Sequence, residues 1–182
     1  MKKVGIYIDG RNFELGTMGL LGIENTNNLE ELHSKFDINL FIQKITINKQ
    51  VISKNYYRGI PKINYFSENL CKNVNISINK LIKKGFYVYK GNFTRTRSEK
   101  GVDVRLALDI VRDSRDNKID IVFLFSNDTD LLEAIKDARG HGIKVFHCVF
   151  KINSKLYSAN NALSVNSDNR LILNQQLLES IF

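Results

Sequence analysis

Ile119-Asp-Ile-Val-Phe-Leu-Phe125 runs without a break into Ser126-Asn-Asp-Thr-Asp130. The near-continuous apolar run, rich in β-branched and aromatic residues, is expected of a strand buried on both faces at the centre of a parallel sheet. Its abrupt polar end delivers two carboxylates, Asp128 and Asp130, to the carboxyl edge of that sheet. Downstream, Leu131, Leu132, Ile135 and Ala138 give a helical face that Gly140 and Gly142 terminate, and Ile143–Phe150 reads as the next strand. The same design opens the chain: Lys3-Val-Gly-Ile-Tyr-Ile8 is a short apolar run broken by Asp9-Gly10-Arg11-Asn12.

Between these strands the pattern alternates. Residues 14–36 have many glycines and asparagines and weak periodicity, so they are expected to be a long loop with one helical turn around Leu29–His33. Asp37 caps a helix through Ile45, and Val51–Ile60 is a strand stopped by the only proline, Pro61. Ser67–Lys84 is a helix with the stripe Leu70, Val74, Ile78, Leu81 and Ile82, Phe86–Tyr89 a strand, and Gly91–Glu99 an exposed polar loop. Residues 154–163 suggest a short helix. Strands alternating with helices imply right-handed crossovers and a doubly wound α/β fold with a mainly parallel sheet of about five strands. Ligands in such sheets sit at the carboxyl ends of the strands. Residues 1–165 are expected to form one domain, and the apolar tail 166–182 to be helical and packed on it or on a second subunit of a homo-oligomer.

One helix stands out. In Lys100–Asp113, at roughly 100° per residue, Val102, Leu106, Ala107, Leu108, Ile110 and Val111 form an apolar arc, and Asp103 lies inside it. A buried, unpaired carboxylate costs several kcal/mol, so a cation is expected to meet it. Asp109 projects to the polar side between Arg105 and Arg112, where ion pairs account for it.

The chain has 182 residues, enough for a single domain with a sizeable core. Cys71 and Cys148 have no Cys or His at zinc-like spacing and read as reduced, buried residues, which suits a cytoplasmic protein. No signal peptide or membrane span is expected. The net charge of +8 and pI near 9.5 point to polyanions, with membrane surfaces second. Basic residues concentrate at Lys80, Lys83, Lys84, Lys90, Arg95, Arg97, Lys100 and Arg105, a pattern that also fits a solvated helix face and polar loop.

Asp9, Asp103, Asp128 and Asp130 can converge on one sheet edge, where carboxylates packed without a cation would repel and take up protons. Magnesium or manganese resolves that conflict with oxygen ligands and retained waters. An acidic metal site in a basic protein points to phosphodiester chemistry. Asn12 would orient Asp9 or a ligand water, and Arg11, Ser126, Arg95, Arg97 and Lys100 are the candidate substrate contacts. Structural readings stand beside these. Asp9-Gly10 also fits a plain turn, Asp128 or Asp130 an N-cap, and Asp130 with Glu133 a capping box. His33, His141 and His147 show no metal spacing and fit surface or core positions, and Tyr56, Tyr57 and Arg58 fit strand packing better than base stacking.

Asp9-Gly10-Arg11-Asn12, Lys100-Gly101-Val102-Asp103 and Ser126-Asn127-Asp128-Thr129-Asp130-Leu131, in this order, resemble the NYN domain, a LabA-like branch of the PIN-like nuclease superfamily. The resemblance spans roughly residues 1–165. It implies a Rossmann-like three-layer fold and metal-dependent ribonuclease activity, with Asp9, Asp103, Asp128 and Asp130 as the acidic site and Asn12 and Ser126 supporting it. Asn127 stands where the family commonly has glycine, and Ala159-Asn160 where it frequently has Ala-Asp. Asp109 matches a frequent family acid, yet the helix projection keeps it out of the site. The expected function is a magnesium- or manganese-dependent endoribonuclease acting on single-stranded or structured RNA. The rival is a non-catalytic RNA-binding or regulatory module. A haloacid dehalogenase-type phosphatase would need Asp-x-Asp after the first strand, where Asp9-Gly10-Arg11 stands, and a Toprim-type site lacks its glutamate.

Overall fold

A computed structural model describes residues 1–96, 98–152, 155–157 and 161–179. The candidate contact Arg97 and the Ala159-Asn160 pair lie outside the described residues. The central strands are β1 (Lys3–Asp9), β2 (Gln50–Gly59), β3 (Tyr87–Phe93), β5 (Ile121–Phe125) and β6 (Lys144–Ile152). They pair in parallel in the order β3-β2-β1-β5-β6. Three short strands extend this frame: β4 (Glu99–Lys100) pairs antiparallel with β3, β7 (Lys155–Tyr157) antiparallel with β6, and β8 (Asn169–Leu173) parallel with β6. The fold is thus the expected α/β architecture, with eight strands among the described residues.

Strand alternation divides the core between two faces. Ile6, Ile8, Phe123 and Phe125 point to one face, against α1 (Gly10–Leu20), α2 (Leu29–Lys35), α3 (Ile38–Ile45) and α4 (Glu68–Lys83). Tyr7, Tyr57, Val122 and Leu124 point to the other, against α5 (Val102–Arg115), α6 (Leu132–Gly140) and α7 (Asn161–Asn166). Burying both faces is what makes β1 and β5 read as continuous apolar runs.

Several segments differ from expectation. Residues 14–36 are not one long loop: α1 leads directly out of β1 and runs to Leu20, and the helical turn expected around Leu29–His33 is α2. The glycines of α1 are packing sites, since a Cβ on Gly16 would meet the Phe150 ring and one on Gly10 would lie 2.9 Å from the Tyr57 carbonyl oxygen. The expected loop 91–99 is a hairpin, because β3 continues to Phe93 and turns into β4. Of the described residues in 154–163, Lys155–Tyr157 form β7 and Asn161 opens α7. The tail is first a strand, β8, and then a short helix, α8 (Gln175–Glu179). Ile82 and Leu108, placed on apolar stripes, are 47% and 59% exposed.

Candidate active site

Sheet order reverses at β1, whose neighbours β2 and β5 lie on opposite sides, so the carboxyl ends of β1 and β5 meet at a topological switch point. Asp9 ends β1 and is buried, 6% exposed. Its carboxylate caps α1 by accepting the Asn12 backbone N–H at 3.2 Å, and it also accepts the Asn12 side-chain N–H and the Ser126 hydroxyl, the latter at 3.1 Å. Burial pushes its pKa up, and those hydrogen bonds together with the Arg58 charge oppose the rise. Asn12 therefore orients Asp9, one of the two roles expected of it.

Ser126 is the hinge of this edge. Its Oγ donates to Asp9 and accepts the Asp128 backbone N–H at 3.2 Å. Its carbonyl lies 2.9 Å from His147 Nε2, which must carry the proton because a carbonyl only accepts. Nδ1 of the same ring meets the Ser164 hydroxyl at 3.0 Å, and burial lowers the pKa so that the ring is neutral. His147 is thus a core residue that supports the site from beneath.

Asp128 caps the 3-10 turn Thr129–Leu131, accepting the Asp130 backbone N–H at 2.9 Å. The alternative capping box of Asp130 and Glu133 is not formed: α6 has no side-chain cap, and Asp130 is exposed. Asp103 sits in the first turn of α5, which Gly101 starts from a left-handed conformation at φ 82°. It is half-buried, and its pKa is raised to about 6, first by burial and then by the charges of Asp9, Asp128 and Asp130. Asp103 is thus close enough to Asp9, Asp128 and Asp130 for the charge of each to act on it.

Asp109 departs from the projection. It is 3% exposed, with its carboxylate held by the Tyr57 hydroxyl at 3.1 Å, Arg105 at 2.9 Å and Arg112 at 2.8 Å. The ion pairs are as expected, but the face is wrong: Asp109 follows Leu106 by three and Val102 by seven, and so lies on the buried stripe. Asp113 repeats the pattern with the Tyr7 hydroxyl at 2.8 Å. Sequence reasoning also passed over Glu99. It accepts the Gly59 backbone N–H, lies 3.8 Å from Arg58, and has its pKa raised by burial and by the nearby Asp9 and Asp103. Its one sequence signal is being an acid within a basic interval. Of the candidate substrate contacts, Arg95 and Lys100 are exposed, while Arg11 is half-buried and reaches the Thr26 carbonyl at 3.4 Å.

Among the described residues, no three His, Cys, Asp or Glu side chains form a ready-made metal cage. The donor set is nonetheless of the right chemistry for a hard divalent ion: it is all carboxylate oxygen, and mutual repulsion already raises the proton affinity of Asp103.

The family model for the NYN domain matches residues 3–169, nearly the whole chain. The chain belongs to the NYN domain family. NYN domains are PIN-like nuclease domains, so the switch-point acids belong to a nuclease-like α/β fold. No curated protein and no solved structure matches this NYN chain. Among its described residues, no helix is long and apolar enough to cross a membrane.

Proposed function

We propose that this NYN protein is a magnesium- or manganese-dependent endoribonuclease whose site is Asp9, Asp103, Asp128 and Asp130. The observation that carries this reading is the placement of Asp9 at the end of β1 and of Asp128 and Asp130 after β5 at the switch point, with Asp103 in the first turn of α5 near enough to feel all three charges, in a chain with a formal net charge of +8. A bound cation there would activate water for attack on phosphorus and stabilise the leaving oxygen. Asn12 and Ser126 fix the Asp9 carboxylate so that it need not reorganise, and Asp103, Asp128 and Asp130 would complete the oxygen donors. Arg95 and Lys100, exposed beside the start of α5, hold the phosphate backbone. In this reading the protein works in the reducing cytoplasm, where Cys71 and Cys148 remain free thiols, as they are here.

The test is cleavage of single-stranded RNA with and without manganese. Asp9→Asn and Asp103→Asn are each expected to lower the rate by at least about a hundredfold. Cleavage at the wild-type rate by both variants would overturn the site. One observation favours a second reading, a non-catalytic RNA-binding module: the described acids do not form a preassembled metal cage. RNA binding without cleavage under any divalent metal would decide for that module.

A further inference from the structure

The proposed reaction leaves unused a cavity beside the acids. About 800 Å³ in volume, it is walled by the end of β2, residues 61–67, the start of α4 and the β3–β4 hairpin. One wall is aromatic. Tyr65, Phe66 and Phe93 line it and are half-buried, and the Phe66 and Phe93 rings meet edge to face with centroids 4.9 Å apart. The lining is also charged, with Arg11, Arg58 and Glu99, the last paired with Phe93 across the hairpin. Arg58 is buried and committed to Glu14 at 3.2 Å and to Glu99, while Arg11 is half-exposed and more loosely held, 4.0 Å from Glu14 and 3.4 Å from the Thr26 carbonyl.

Position gives the cavity its meaning. Arg11 follows Asp9 by two residues on the first turn of α1, and Glu99 is close enough to Asp9 and Asp103 for their charges to act on it. The cavity and the acidic cluster therefore share a wall. Its volume suits one small organic ligand. A nucleobase has a ring face that stacks on such aromatic side chains, which a phosphate lacks. We propose that this cavity receives one unpaired nucleobase of the RNA strand whose backbone crosses the acidic cluster. The proposal rests on the reading of that cluster as the RNA-cleaving site. A base paired in a duplex must first be unpaired and unstacked, at a cost of a few kcal/mol, so the pocket favours single-stranded RNA or a loop.

The probe is a set of single-stranded oligoribonucleotides carrying 2-aminopurine at successive positions, added to the Asp103→Asn protein so that binding is read without turnover. At one position the fluorescence should change saturably. Adding Tyr65→Ala should weaken that binding roughly tenfold, Tyr65→Phe should restore it, and the same label in a duplex should give no change. Phe93→Leu, from the hairpin wall, is the second variant, and thermal melts show which variants remain folded. Unchanged affinity in both folded variants, or RNA binding with no fluorescence change at any position, would overturn the pocket. The two readings fail separately. If the wild type cleaves RNA and Tyr65→Ala leaves KM untouched, the pocket is wrong and the nuclease stands. If no RNA is cleaved but the signal tracks Tyr65, the pocket stands and the nuclease reading falls.

Discussion

Asp103 and Asp109 share one helix and have opposite electrostatic surroundings. Asp109 is neutralised by Arg105 and Arg112 and fixed by Tyr57, whereas Asp103 faces three further carboxylates. Removing the Asp103 charge should therefore stabilise the metal-free protein while destroying the proposed site. In EDTA at pH 8, Asp103→Asn is expected to raise unfolding free energy by about 1 kcal/mol, a value discounted because the group is half-exposed to solvent screening. Urea denaturation of the two proteins measures it, and a less stable Asp103→Asn would refute the repulsion. The oddity of Asp103 is readable from its apolar neighbours at i+3 and i+4, which local periodicity exposes. Asp109 was misplaced because the apolar arc was drawn too wide, taking in Leu108, which is exposed. Beyond its being an acid within a basic interval, Glu99 has no local signal: its role depends on the Gly59 amide, forty residues earlier in the chain, and on the strand pairings that bring them together.

At the scale of elements, α1 shows why a glycine-rich stretch can mislead. Helix propensity alone makes Gly16→Ala stabilising by about 1 kcal/mol. Contact with the buried Phe150 ring reverses the sign, and a loss of about 1–3 kcal/mol is expected. A thermal melt decides between them. The helices that the sequence did show, α3 through α6, have regular stripes and recognisable ends, such as Asp37 and Ser67 as N-caps and Gly85 beyond α4 at φ 84°. Between α2 and α4, His33 Nε2 meets Ser77 Oγ at 2.6 Å, and burial with the nearby Lys80 and Lys84 lowers its pKa from 6.5 to about 4. The folded state thus binds fewer protons than the unfolded chain between those values. Stability from this site is complete above about pH 6.5 and is lost as pH falls through about 4. Denaturation midpoints across this range should fall with acidity in the wild type and fall less in His33→Gln.

Across the whole molecule, a net charge of +8 coexists with acids at the switch-point edge. Phosphate contacts made by Lys and Arg release counterions, so affinity for single-stranded RNA should drop by at least about tenfold between roughly 50 and 200 mM salt. Fluorescence polarisation measures it, and a flat salt response would remove the backbone from the binding account. Fold class was legible because β1 and β5 are apolar on both faces and the helices between them are amphipathic. The edges of the sheet were not, since β4, β7 and β8 are short and gain their pairing from β3 and β6 rather than from any pattern of their own.

The central place of β1 also has a consequence in time. Its neighbours are β2, beginning at Gln50, and β5, beginning at Ile121, so one side of β1 stays open during synthesis until β5 has been made. Asp9 acquires Ser126 only at that late moment. A ribosome-bound or truncated chain ending before β5 would hold an apolar strand with one unpaired edge, prone to associate with other chains. Refolding, limited by closing so long a parallel pairing, belongs to the slow end of the range for domains of this size.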